Sequence, residues 1–262
     1  MLTGDEIAAF VEDGFVAIRG AVPGDIVREC QDMIWSRLAE QGLRRDEPGT
    51  WNSPVVRIPC PEGGPFAAAG TRPLVREACD QLIGRGRWLP VQGLGGTIPV
   101  RFPSAEDPGD AGWHLEASYE KNGGWRVNIR SRARGLLALY LFTEVDADSA
   151  PTRIRPGSHR DAARVLAPAG EEGMAWMDAA QAAAKASEHR PTVLATGQAG
   201  DVFLCHPFLV HAASWPHTGT APKLMAQPGV LLHDQFPLTG PLAPAERPIA
   251  EQVHRAAPKA IS

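Results

Sequence analysis

In the stretch Trp113-His114-Leu115-Glu116-Ala117-Ser118-Tyr119 an imidazole and a carboxylate stand two residues apart. In extended backbone, residues i and i+2 point to the same face. His114 and Glu116 can therefore offer a ring nitrogen and a carboxylate oxygen to one point. They are two thirds of a facial two-histidine, one-carboxylate iron site. The third ligand is expected to be a histidine near the end of a late strand, and the segment Asp201–His211 holds two, His206 and His211. Their spacing of five puts them on opposite faces of an unbroken strand, but Pro207 can break the alternation. Spacing alone leaves the choice open. Farther on, Pro222-Lys223 leads into the last strand. A cation beside a metal can pair there with the distal carboxylate of a 2-oxo diacid, lysine as a point charge where arginine would act as a fork.

The elements that must position these groups follow from pattern. Thr3-x-x-Glu6 is a capping box for a short helix that ends at the Asp13-Gly14 turn. A strand over 15–18 and a second helix from Pro23-Gly24-Asp25 to Gly42 come next. Residues 43–70 read as mostly irregular, with a short strand at 55–58, and Thr71 as the N-cap of a helix through Ile83. From residue 88 the period becomes two, with strands expected at 97–102, 113–119, 125–131, 135–145, 152–155, 192–195, 201–210 and 223–233. The run Leu136–Phe142 is apolar throughout and is expected to be buried on both faces. Residues 160–188 read as helix covering one end of the sheet. The pattern gives an α+β chain on a double-stranded β-helix, a jelly-roll or cupin-like barrel, with helices packed outside it, mainly from the N-terminal third. The chain shows no composition break. It is read as a single domain over 1–262, with a helical region over 1–87, a barrel over 88–235 and a loosely held tail over 236–262. The mouth of such a barrel suits a small molecule.

Composition narrows the function. The chain of 262 residues is 44% hydrophobic with a net charge of −4 and a pI near 6.1, which gives no reason to expect nucleic acid or an anionic membrane as partner. Arg126, Arg130, Arg132 and Arg134 fall at alternate positions and read as one solvated or anion-facing side of a strand. Cys30, Cys60, Cys79 and Cys205 lack close spacing and read as buried thiols of a reducing compartment. The N-terminal residues lack the basic start and apolar run of a signal peptide, and no stretch is long enough to span a membrane. A cytoplasmic location is expected. The oligomeric state is not encoded in any of these features.

Several pieces, in order, resemble the bacterial branch of the phytanoyl-CoA dioxygenase family over roughly residues 3–235. They are Phe10-Val11-Glu12-Asp13-Gly14-Phe15-Val16, the heptapeptide around His114, Pro156-Gly157-Ser158-His159-Arg160, and Gly200-Asp201 through His211-Ala212-Ala213-Ser214. The resemblance implies an oxygenase using iron(II), 2-oxoglutarate and dioxygen, which oxidises a C–H bond of a small molecule in specialised metabolism and releases succinate and carbon dioxide. It implies His114, Glu116 and His211 as iron ligands, with His206 excluded and His159 shaping a turn. The family usually has aspartate at Glu116 and arginine near Lys223. Family halogenases carry a small residue in place of the carboxylate, so Glu116 points to hydroxylation or a related oxidation.

Other residues take supporting roles on the same reading. Thr152 and Asn128 are candidates to bind the cosubstrate. Trp113, Tyr119, Trp125 and Trp215 are candidates to line the substrate space, and Arg101 to meet an anionic substrate group. Two other readings of the chain are a non-redox, isomerase-type metal enzyme on the same barrel, and a non-catalytic binding module.

Overall fold

The computed structural model describes residues 1–90 and 92–256. The N-terminal third runs α1 (Gly4–Asp13), β1 (Phe15–Ile18), α2 (Gly24–Ala39), β2 (Val55–Pro59), α3 (Gly64–Gly70) and α4 (Pro73–Ile83). The chain continues β3 (Thr97–Arg101), β4 (Tyr119–Lys121), β5 (Gly124–Val127), β6 (Arg134–Leu141), β7 (Arg153–Ile154), α5 (Ser158–Leu166), β8 (Met174–Ala175) and α6 (Trp176–Ala186). It ends β9 (Val193–Leu194), β10 (Val202–Cys205), β11 (His211–Ala212), β12 (Met225–Ala226), β13 (Gly229–Leu231) and α7 (Arg247–Ala256). Every strand pairing is antiparallel. The main sheet has the order β1-β10-β6-β12, with β13 also on β6. Smaller sheets are β11-β7-β9, β2-β3 and β4-β5-β8.

The central strand β6 explains its own sequence. Leu136, Ala138, Tyr140 and Phe142 join the large core beneath the helices. Leu137, Leu139 and Leu141 face the other way, into a second core with Ile154, Phe203, Leu209 and Met225. Both faces are dry, so the alternation disappears and the strand reads as one apolar run. Each of these leucines is worth roughly 1.5–3 kcal/mol of burial.

The strands are shorter than the pattern suggested. The stretch 113–119 is a single bridge at His114, followed by β4. The stretch 125–131 ends as a strand at Val127, 201–210 breaks after Cys205, and 223–233 divides into β12 and β13. Irregular stretches carry their polar backbone on local bonds, such as Leu209 N to His206 O and Ser131 N to Asn128 O.

The helices also differ. Residues 43–70, read as mostly irregular, contain α3, and Thr71 caps its C-terminal end, with Oγ1 bonded to Ala67 O, so Arg72 takes the N-cap of α4. The expected helix over 160–188 is two, α5 and α6, with β8 between them pairing with β5. The N-terminal third does not only pack outside, since β1 is an edge of the main sheet. The expected loose tail is docked over its described residues: Phe236 and Ile249 are buried, Arg87 pairs with the buried Glu246, and α7 packs on α5. No described helix is long and apolar enough to cross a membrane.

The Asp13-Gly14 turn is tied to the rest of the fold. Gly14 closes α1 in the left-handed region (φ 85), and a Cβ there would sit 2.5 Å from His159 Nδ1. We expect Gly14→Ala to lower unfolding free energy by on the order of 2 kcal/mol. A denaturant melt checks this, and an unchanged midpoint would show that the turn relaxes freely.

Candidate metal centre

One cross-strand pair founds the site. His114 and His211 exchange both backbone hydrogen bonds, each 2.9 Å. Their side chains are therefore direct neighbours, with ring centroids 4.4 Å apart. Two residues along, the Glu116 amide donates to Pro207 O at 3.2 Å. Leu115 between them is fully buried, and its carbonyl accepts from Trp176 Nε1 at 2.7 Å. Period two thus survives without a continuous strand. The ligating atoms of His114, Glu116 and His211 all lie within 4.8 Å of one another.

The two rings are prepared as ligands. His114 Nδ1 is 2.9 Å from Gly112 O, and His211 Nδ1 is 2.9 Å from Leu209 O. A carbonyl oxygen only accepts, so each Nδ1 carries the proton and each Nε2 keeps its lone pair. Burial first, and then His114, push His211 down to about 3. At neutral pH it is uncharged, the form a metal takes. His211 Nε2 and Glu116 Oε1 then face each other at 3.6 Å as two acceptors. A cation among the three groups resolves that opposition, so the donor set fits a metal ion.

His206 lies elsewhere. The turn at Pro207 directs it into the core, where Nε2 meets Ala245 O at 2.9 Å and Nδ1 accepts from Phe208 N at 3.0 Å. Burial pushes it down to about 4. His159 is fully buried beside it, with Nε2 3.2 Å from Val11 O, and it joins the α1 turn to α5.

A cavity of about 570 Å³ is lined by His114, Glu116 and His211. Lys223 lines it and is 1% exposed. Its ammonium donates to Ala150 O and forms no ion pair with a carboxylate among the described residues. Burial, and then the nearby Arg101 guanidinium, push it down to about 7, against the pull of Asp110. Arg101 pairs with Lys223 through the backbone, 3.1 and 2.8 Å, and it is buried, not at the surface. Its guanidinium sits 2.7 Å from Asp110 Oδ2, which also accepts from Arg57. Thr152 lines the same cavity, its hydroxyl making only a 3.9 Å contact to Met225 Sδ. Leu94, Leu137 and Met225 supply apolar wall.

Other expected site residues fall outside this lining. Asn128 spends both ends of its amide on turns, Nδ2 to Glu171 O and Oδ1 from Arg132 N, because the strand ends before it. Trp113 lies under Arg153 and Arg155, 4.7 and 4.2 Å from its ring. Tyr119 donates to Glu172 O at 3.1 Å and has Arg132 over its face. Trp125 and Trp215 are exposed, the latter in a shallow pocket beside Phe102 and His217. The arginine cluster is not one side of a strand: Arg126 and Arg130 bind the 171–173 and Phe236 segments. Arg134 enters the cavity, 3.3 Å from Glu116 Oε2. Sequence reasoning missed Arg134, Arg57 and Asp110. A charge heading an otherwise fully apolar strand was the available signal for Arg134.

Among curated protein sequences none matches this chain. By fold, it is similar to HygX from Streptomyces hygroscopicus with nickel and 2-oxoglutarate bound (17% identity, 89% of this chain and 88% of that one, TM-score 0.58). It is similar to the non-heme alpha ketoglutarate dependent carbocyclase SnoK from nogalamycin biosynthesis (17%, 89% and 85%, TM-score 0.56). A third is AviO1 from Streptomyces viridochromogenes Tue57 (16%, 92% and 100%, TM-score 0.56). The family model for phytanoyl-CoA dioxygenase (PhyH) matches residues 97–223, a span that contains His114, Glu116, Thr152 and His211 and ends on Lys223. Over that span the chain is similar to the phytanoyl-CoA dioxygenase family.

Proposed function

We propose that this chain is an iron(II)- and 2-oxoglutarate-dependent oxygenase that oxidises a C–H bond of a small molecule. The observation that carries the reading is one cavity holding both a convergent His-Glu-His set and a buried lysine without a carboxylate partner. A buried cation is costly unless paired, and a cosubstrate carboxylate would be that partner. His114, Glu116 and His211 would hold the metal on one face. Lys223 would bind the distal carboxylate, with Arg101 beside it adding positive field while Asp110 fixes its guanidinium. Thr152 Oγ1, weakly engaged otherwise, would donate to the cosubstrate. Leu137 and Met225 would keep water from the space between metal and anchor. Iron with 2-oxoglutarate and dioxygen supplies the oxidising power.

On this reading the main sheet and the β11-β7-β9 sheet, packed over the core of Leu139, Phe203 and Leu209, are the two halves of a jelly roll. Four buried thiols fit a reducing, cytoplasmic setting. The similarity to a carbocyclase and to HygX, which has also been solved with hygromycin B, keeps the class of outcome open to ring closure as well as hydroxylation, on a substrate of natural-product type. A non-redox isomerase and a non-catalytic binding module remain the competing readings.

The test is to add iron(II) and 2-oxoglutarate without oxygen and record the charge-transfer absorbance, then admit oxygen and assay succinate. An absorbance band followed by succinate is expected. A protein that gives neither is no oxygenase of this kind.

A further inference from the structure

The two oxygens of Glu116 are shared between different neighbours. Oε1 faces His211 Nε2 at 3.6 Å, and Oε2 lies 3.3 Å from Arg134 Nη1. Arg134 is delivered there by a tight turn. Ser131 (φ 44) and Ala133 (φ 64) take left-handed backbone, Arg134 N bonds Ser131 O at 3.1 Å, and Ser131 Oγ bonds Arg134 O at 2.7 Å. Across the sheet, Gly229 leaves the space that the guanidinium fills, since a Cβ there would sit 1.7 Å from Nη1. The guanidinium is three-quarters or more buried, and Nε has no hydrogen-bond partner. Apart from Glu116, no other carboxylate pairs with Arg134 among the described residues.

We infer that Arg134 is a positioning residue for the metal site. It holds Oε2 of Glu116, which turns Oε1 toward the histidines and fixes the extra methylene of glutamate in one rotamer. This rests on the metal-site reading above. A guanidinium near a dication repels it, so simple field effects predict tighter metal binding when Arg134 is removed. Positioning predicts the reverse, because a freed glutamate must give up rotamer freedom when it binds the metal. Loss of such an outer partner typically weakens a metal site by about 10- to 100-fold.

The test is nickel(II) titration of the metal-free full chain by calorimetry, which needs no turnover. R134Q is expected to weaken nickel by about tenfold or more. G229A keeps the charge but displaces the guanidinium, and it is expected to weaken nickel in the same direction, which covers the case in which R134Q does not fold. In an E116D background the carboxylate is too short for Arg134 to hold, so adding R134Q is expected to change affinity by no more than about twofold. Unchanged or tighter nickel binding by both R134Q and G229A overturns the inference. So does an equal weakening by R134Q in the Glu116 and E116D backgrounds. Wild-type protein that binds nickel no better than H114A overturns both the metal site and the inference, whereas tight wild-type binding with indifferent R134Q and G229A removes the inference alone.

Discussion

His211→Ala is expected to abolish nickel(II) or iron(II) binding, while His206→Ala, only five positions earlier, leaves the metal in place. Both histidines are buried but they differ in what their nitrogens do. His211 Nδ1 is spent on Leu209 O, leaving Nε2 among the ligands. His206 has both nitrogens spent on backbone, at Ala245 O and Phe208 N. His206→Ala removes a packed ring and orphans a buried carbonyl and amide, which costs about 2–4 kcal/mol. His114→Ala and Glu116→Ala are expected to behave like His211→Ala. Paired nickel titrations and thermal melts check both halves. If a folded His206→Ala protein loses nickel as completely as His211→Ala does, the ligand assignment fails.

Lys223→Met is expected to raise stability and to weaken 2-oxoglutarate binding to the nickel-loaded protein by about 100-fold. Methionine keeps the apolar stem and removes a buried charge that lacks a carboxylate partner. The same charge is what the distal carboxylate would meet. Truncating one partner of a buried charge pair costs about 2–5 kcal/mol of binding, and 100-fold corresponds to about 2.7 kcal/mol within that range.

The pH dependence follows from the depressed lysine, pushed from an ordinary 10.5 to about 7, chiefly by burial. Between these values the unfolded chain holds a proton that the native chain has released. Stability from this group therefore rises with pH from about 7 to 10.5, and its full penalty is present below 7. Cosubstrate binding runs the other way, because only the ammonium pairs with a carboxylate, so the dissociation constant should rise as pH climbs above about 7. Lys223→Met should flatten both trends. A pH series of melts and 2-oxoglutarate titrations decides this, and an unchanged affinity in the variant would mean that the anchor lies elsewhere.

How much of this was legible in the chain depended on how local the determining contacts are. His114 and Glu116 could be read because residue type and period two carry their geometry, and the pair survives although the strand does not. The apolar run of β6 announced a strand buried on both faces. His211 could not be separated from His206 by spacing, because the turn at Pro207 is held by contacts with Gly14 and with Ala245 just ahead of α7. Arg134 was grouped with the arginines before it, and not with β6, for a related reason. Alternation was extrapolated through 128–133, where Asn128 and Ser131 close a turn instead. Tyr119 and Trp113 lie off the cavity because each has a partner distant in sequence, Glu172 for the first and Arg153 and Arg155 for the second, while Trp125 and Trp215 are exposed. Thr71 has the side chain of an N-cap but serves the helix before it.

The pairing of β1 with β10, Phe15 opposite Cys205, bears on how the protein reaches this state. Strands made first must wait for strands made near the end, and the turn that aims His206 away from the ligands is closed by Ala245, later still. Such high contact order slows folding. During synthesis the edge of β1 has no partner until most of the chain has left the ribosome, and an unpaired edge invites association with other chains. The convergence of His114, Glu116 and His211 thus waits on chain made well after them. Chains shortened before Ala245 should accumulate as metal-free, aggregation-prone material.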